Sequence, residues 1–295
     1  MEYQNISNSS LFARNTLDEL ISSTVLGLCC ALGVPGNIAA LVMLAQHIKE
    51  ESFTPKLMLS LAVSDLLSLI FLPVWIYAIL NGWVFGQGLC KLFSYVVYWS
   101  LYSSVLSVTL LSVQRYLQVL YPQRWAKLGQ KGQKGLIFGI WTLGGALGSY
   151  ALYYRNVKKI GLQTCQQDYT NKQEELVVLL VEILVLFVMP LFSLLYFYLR
   201  LHQRISQSVS FRSHRLTKLS VRIVVVFFIF GTPSMINNFV LMAMPWESDV
   251  GNSVSGALFF INSCVNPFLY AFSARTLRCR RKQHSDQQQE NLNES

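Results

Sequence analysis

Reactive residue types are sparse in this sequence, and their placement limits the chemistry available. All four histidines, His47, His202, His214 and His284, lie in polar stretches, so neither a His-Glu-x-x-His zinc pattern nor a buried Ser/His/Asp set emerges. Within the long apolar runs the ionisable groups reduce to Asp65 and Glu182, with Arg115 near the end of one run. A carboxylate in apolar surroundings must take a proton, a counter-ion or hydrogen-bond donors. Two such groups, far apart in sequence, suit binding or switching better than catalysis, and no enzyme activity is expected. Of the six cysteines, Cys29, Cys30 and Cys264 also fall within apolar runs, whereas Cys90, Cys165 and Cys279 lie at their ends or between them.

The elements that must position these groups follow from composition. Of the 295 residues, 53% are hydrophobic and 13% charged, against about 25% charged in a soluble domain. A helix needs about 20 mostly apolar residues to cross a hydrocarbon layer of roughly 30 Å. Seven runs qualify, at 20–46, 56–80, 90–119, 135–154, 175–199, 217–244 and 252–273. The expected fold is an all-α membrane protein, a seven-transmembrane helix bundle over 20–273. A tail at 1–19 precedes it, and a short amphipathic helix and cytoplasmic tail at 274–295 follow. Pro73, Pro190, Pro233 and Pro267 each remove a backbone donor within a span and bend it.

A net charge of +9 invites a nucleic-acid reading, but the basic residues sort by side of the membrane. Lys49, Lys56, Arg115, Arg124, Lys127, Lys131, Lys134, Arg200, Arg204, Arg212, Arg215, Lys218, Arg222, Arg275, Arg278, Arg280, Arg281 and Lys282 share one side. Only Arg14, Lys91, Arg155, Lys158, Lys159 and Lys172 take the other. The positive-inside rule then sets the amino terminus outside and the carboxyl terminus in the cytosol. No nucleic-acid partner is expected. Asn5 and Asn8 each open an Asn-x-Ser glycosylation triplet on the outer side. Residues 1–19 hold no apolar core of a cleavable signal, so the first span is read as its own signal anchor. Cys90 and Cys165 are the two cysteines facing the oxidising side, and a disulfide between them is expected. It would fold the loop before span five over the bundle mouth.

A channel would need a polar stripe and many transporters show paired, interrupted halves; neither is visible. Span seven holds no lysine for a retinal chromophore. A bundle with a pocket on one side and basic loops on the other is left.

The span-by-span motifs resemble those of rhodopsin-like G-protein-coupled receptors over residues 20–282. Span one carries Gly36-Asn37, span two Leu61-Ala62-Val63-Ser64-Asp65-Leu66-Leu67, and span three runs from Cys90 to Gln114-Arg115-Tyr116. Trp141 marks span four, Pro190 and Tyr198 span five, Phe227 and Pro233 span six, and Asn262-Ser263-Cys264-Val265-Asn266-Pro267-Phe268-Leu269-Tyr270 span seven. The resemblance implies a plasma-membrane receptor coupled to a heterotrimeric G protein, with arrestin as a further partner. Arg115, Tyr198 and Tyr270 take the positions of G-protein coupling. The bend at Pro233 would let the inner half of span six swing outward.

Asp65, Ser104, Asn262, Ser263 and Asn266 match positions that hold an allosteric sodium ion in related receptors, and oxygen donors suit a hard cation. A protonated Asp65 within a hydrogen-bond network is the other reading. Two switch positions depart from the family pattern. Gln114 replaces the acid beside Arg115, so the guanidinium would be held by a neutral rather than a charge-assisted bond, and raised basal activity is expected. Gly231 replaces a tryptophan two residues before Pro233, leaving Phe227 or Phe230 to transmit the signal. Cys279, among the basic residues past span seven, is a palmitoylation candidate, and those residues would attract anionic membrane lipids.

On the pocket side, Tyr95, Tyr98, Trp99, Tyr102, Arg155 and Glu182 suit an amphiphile with an anionic group: aromatics line an apolar channel, a cation takes the carboxylate, and an acid accepts from a hydroxyl. Within the family the chain most resembles the chemoattractant branch, through Val34-Pro35-Gly36-Asn37 and Trp83-Val84-Phe85-Gly86. Inside that branch, Tyr102, Tyr154-Arg155 and Glu182 resemble leukotriene B4 receptors, which implies a lipid mediator as ligand. Ser94 stands where that pocket has a histidine, and Glu247 and Asp249 lie where an arginine is usual. A receptor for a short chemoattractant peptide, or a scavenger that binds without signalling, are the alternatives.

Overall fold

A computed structural model describes residues 2–46, 53–160 and 162–205, together with 225, 228–233, 236, 240, 256–258 and 260–267. Helix α1 spans Glu2–Ala45, α2 Phe53–Leu69, α3 Leu72–Asn81 and α4 Gly86–Leu120. Next come α5 Pro122–Lys127, α6 Gly129–Gly148, α7 Tyr150–Tyr154, strands β1 Arg155–Ile160 and β2 Leu162–Gln167, α8 Lys172–Ile183 and α9 Met189–Ile205. Among the described residues five helical stretches are long and apolar enough to cross a membrane: Thr16–Ala45, Phe53–Asn81, Gly86–Leu120, Gly129–Tyr154 and Lys172–Phe197. They coincide with the first five predicted spans. The sixth and seventh fall on the partly described stretches, helical wherever described. Helix α1 begins at Glu2 rather than at the first span, so the polar tail continues its helix.

The breaks within spans have local causes. Pro73 in the first turn of α3 cannot donate, and α2 and α3 meet at a bend there. A π turn at Leu184–Val188 separates α8 from α9 immediately before Pro190, whose missing N–H would have bonded the carbonyl four residues back. Asn171 caps α8, accepting from Glu174 N at 2.8 Å, and Glu174 and Glu175 in the first turn favour the positive end of the helix dipole.

Helix α4 is the central post, packed on α2, α6 and α9. Small residues let α6 approach closely, as membrane helices require. A Cβ at Gly148 would stand 2.9 Å from Trp99 N, so only glycine fits there. The inner core gathers Phe53, Leu57, Leu61, Val108, Leu111 and Ile140, while Leu28, Leu32, Phe138 and Phe192 face outward. In water such a surface would be untenable; against lipid it costs nothing.

The loop before span five is a β-hairpin. β1 and β2 pair antiparallel, Arg155 opposite Gln167 and Val157 opposite Cys165. The expected disulfide is present: Cys90 in the first turn of α4 is bonded to Cys165 on β2, with 5.7 Å between their Cα atoms. Trp83, fully buried, donates its amide N–H to Gln163 O, a second tie between hairpin and bundle.

Candidate ligand, ion and coupling sites

Under the hairpin a polar cluster joins α4, α7, β1, β2 and α8. Arg155 Nη2 donates to Tyr98 OH at 3.2 Å and Nη1 to Cys165 O at 3.2 Å. Its guanidinium lies 5.7 Å from the Tyr98 ring centroid and 6.0 Å from that of Trp75. Gln167 Nε2 also donates to Tyr98 OH, at 3.2 Å. Below them Tyr150 OH donates to Glu182 Oε1, and the Tyr98 and Tyr150 rings pack 5.0 Å apart. Tyr102 is fully buried beside Val105 and Leu186, and its hydroxyl has no partner among the described residues.

Four of the six predicted pocket residues, Tyr98, Tyr102, Arg155 and Glu182, are therefore brought together. Tyr95 and Trp99 are not. Their rings stack on each other at 5.6 Å, and Trp99 Nε1 donates to Trp141 O at 2.8 Å. Both face the glycines of α6, one helical position around α4 from Tyr98 and Tyr102. Nothing in the sequence marked Tyr150 or Gln167, although a buried acid such as Glu182 needs a donor nearby. Ser94, buried, sits 3.9 Å from Cys165 Sγ, against the disulfide.

Deeper in the bundle, Asp65 is fully buried. Its Oδ1 accepts from Ser104 Oγ at 3.2 Å, its Oδ2 from Asn266 Nδ2 at 2.7 Å, and Ser263 faces the same carboxylate. Asn37 Nδ2 donates to Ser263 O at 2.9 Å, fixing the segment that carries these residues. The Oδ1 atoms of Asn262 and Asn266, both buried, have no donor among the described residues. Carboxylate and amide oxygens are the kind of donors a hard cation takes, although Asn266 turns its Nδ2 rather than its Oδ1 toward Asp65.

Near the carboxyl-terminal end of α4, Thr54 Oγ1 accepts from Gln114 Nε2 at 2.7 Å and from Arg115 Nη2 at 2.7 Å. Arg115 Nη1 also donates to Gln118 Oε1 at 3.3 Å. Gln114 Oε1 has no partner among the described residues, so Gln114 does not accept from its neighbour. The expected neutral bond between Gln114 and Arg115 is replaced by a shared acceptor on α2. Gly231 is a buried helical residue, as a small substitute for tryptophan must be. Phe228 packs edge-on against Phe187 at 5.1 Å and joins the Tyr102 cluster. Phe227, Tyr270 and Cys279 lie outside the described residues, as do the side chains of Asn5, Asn8 and Tyr198.

A bundle of apolar spans, a disulfide-tied hairpin above a polar cluster and a buried aspartate at mid-depth define a membrane receptor. The chain belongs to the rhodopsin family of seven-transmembrane receptors, whose family model matches residues 36–270. It is 29% identical over 263 residues to C-X-C chemokine receptor type 2 of Mus musculus, covering 84% of this chain and 73% of that receptor. Leukotriene B4 receptor 1 of Homo sapiens is 29% identical over 268 residues, 85% and 76% of the two chains. Chemerin-like receptor 2 of Mus musculus is 28% identical over 278 residues, 88% and 77%. The protein is thus a multi-pass G-protein-coupled receptor of the chemoattractant type, as its motifs led us to expect, and its family is one of receptors rather than enzymes.

Proposed function

We propose that this receptor binds an anionic amphiphilic chemoattractant lipid of the leukotriene B4 kind at its outer face and activates an inhibitory heterotrimeric G protein at its inner face. The observation that carries the ligand reading is Arg155. Its guanidinium is held under the hairpin by a tyrosine hydroxyl and a backbone carbonyl, forms no ion pair among the described residues, and has an Nε without a partner. A desolvated cation whose nearest acid, Glu182, stands beyond ion-pair distance is costly, and a ligand carboxylate supplies a direct partner through a charge-assisted bond. Tyr98 and Trp75 offer aromatic faces to the adjoining chain. The Tyr102 hydroxyl and the Tyr150–Glu182 pair are polar groups for ligand hydroxyls. The leukotriene B4 receptor among the relatives agrees with this choice.

The chemokine receptors among the relatives favour a second reading, a chemoattractant peptide that presents an acidic group to Arg155. Displacement of radiolabelled leukotriene B4 from membranes separates the two: specific binding at nanomolar-scale concentrations supports the lipid, and its absence removes that ligand.

Orientation with the amino terminus outside follows from the charge sorting. In this orientation the Asp65 carboxylate, Ser104, Asn262, Ser263 and Asn266 would hold sodium, whose charge would balance the buried aspartate. Arg115, Tyr198 and Tyr270 contact the G protein once the inner cleft opens, and arrestin would use the same cleft. Glycans on Asn5 and Asn8 and a palmitoyl group on Cys279 complete the reading. A fall in cyclic AMP on ligand addition separates a signalling receptor from a scavenger, which binds and gives none.

A further inference from the structure

The first turn of α4 grips both strands of the hairpin, and only one grip is covalent. Cys90 holds β2 through Cys165. Three residues earlier, on the same side of the helix, Gln87 holds β1. Gln87 Nε2 donates to Arg155 O at 3.0 Å and to Asn156 Oδ1 at 2.8 Å, while Gln87 Oε1 accepts from Val157 N at 2.8 Å. One amide thus spends both donors and its acceptor on three consecutive residues, the first of which is the cation under the hairpin.

This pattern depends on the amide. A carboxylate in its place accepts from Val157 N but cannot donate to Arg155 O, and an aliphatic side chain does neither. The disulfide fixes the position of β2, and β1 is tied to it by ladder bonds, by Arg155 Nη1 to Cys165 O and by Asn156 and Lys158 to Asp168; Gln87 adds a direct tie from the backbone of β1 to the amino-terminal end of α4. Arg155 sits at the end of that ladder, opposite Gln167, where fraying begins. Arg155 N–H is held by Ala151 O at the end of α7; Gln87 holds the carbonyl side of the same residue, from which the guanidinium reaches Tyr98 OH and Cys165 O.

We infer that Gln87 is a positioning residue for anion recognition: it fixes the backbone of Arg155 so that the guanidinium presents its charge beneath the hairpin. The anion's identity as a lipid carboxylate rests on the function proposed above; the positioning itself does not.

The test uses the full receptor in lipid nanodiscs, as wild type, Gln87→Ala and Gln87→Glu, with surface expression measured in cells. Hydrogen exchange of the peptide covering residues 155–160 is the ligand-independent arm. Gln87→Ala, which loses all three bonds, should exchange there at least about fivefold faster than wild type, and Gln87→Glu, which keeps the bond from Val157 N and loses the two donated ones, should exchange faster by less, while residues 162–167 beside the disulfide stay protected. Unchanged exchange at 155–160 in both variants overturns the inference. The second arm compares radiolabelled leukotriene B4 with its methyl ester as competitor. Both variants should lose about fivefold in affinity for the acid and little for the ester, since only the acid uses the placed cation. An equal loss for acid and ester overturns the positioning role, because it marks a general disturbance of the site. Faster exchange in the variants, with no leukotriene B4 binding even in wild type, upholds Gln87 and rejects the lipid.

Discussion

The side-chain amide of Gln114 donates to the Thr54 hydroxyl across 2.7 Å, tying the carboxyl-terminal end of α4 to α2 at the position where related receptors carry an acid. Arg115 Nη2 reaches the same oxygen. A hydroxyl oxygen has two lone pairs, so Thr54 can hold both donors at once. Arg115 and Gln114 are thus tied to α2 through one hydroxyl.

Removing that shared acceptor should release the switch. Thr54→Val keeps the shape and leaves two buried donors without it, at a cost of about 1–3 kcal/mol borne by the resting state. Ligand-free nucleotide exchange on the G protein should rise by about fivefold or more over wild type. Gln114→Asp should lower it, because a carboxylate accepts from both Thr54 and Arg115 in charge-assisted bonds. Equal basal rates in all three proteins would show that the latch restrains nothing.

The sodium reading predicts that Asp65→Ala abolishes the sodium sensitivity of agonist binding. The carboxylate accepts from Ser104 and Asn266, and without it no anionic ligand remains at mid-depth among the described residues. A sodium titration of agonist affinity identical to wild type would refute the ion site.

Glu182 and Tyr150 form a pair whose loss is asymmetric. Tyr150→Phe strips the buried acid of its donor, whereas Glu182→Gln keeps an acceptor for Tyr150. Leukotriene B4 affinity should fall by roughly tenfold for Tyr150→Phe, in line with about 1–3 kcal/mol for an unsatisfied buried group, and by less for Glu182→Gln. Competition binding on matched surface expression decides the order, and a greater loss for Glu182→Gln contradicts it.

The hairpin carries a pH-dependent tie. A bond from Lys158 Nζ at 2.6 Å, aided by Asn156, holds the Asp168 carboxyl below its ordinary range, outweighing the opposing effect of burial. A carboxyl lowered in the folded state adds stability above its unfolded value of about 3.9, and that stability is lost as pH falls through the lower folded value. The difference in unfolding temperature between wild type and Asp168→Asn should therefore hold steady from about pH 7.5 to 5 and close only below about 3.9. A difference that closes near neutral pH would assign the effect to another group.

Much of this receptor was legible in the chain itself. Span positions follow from transfer free energies summed over about 20 residues, which need no partner to be evaluated, and the first five agree with the helices observed. The pairing of Cys90 with Cys165 followed from membrane sidedness alone, since few cysteines face the oxidising side. Asp65 announced itself because a lone acid in an apolar run has few explanations.

Contacts between elements were decided only by the tertiary structure. Tyr95, Tyr98, Trp99 and Tyr102 are equivalent aromatics in a string of residues, and the rotation of α4 against the glycines of α6 turns two of them toward the polar cluster and two away. Thr54 and Gln114 are sixty residues apart, so no local pattern joins them. Gln87 stands in an unremarkable polar turn until the hairpin folds back on it. Hydropathy is a property each residue carries alone, which is why the sequence determined the spans. Who meets whom across helices depends on close packing and rotation about each axis, and these exist only once the bundle has assembled.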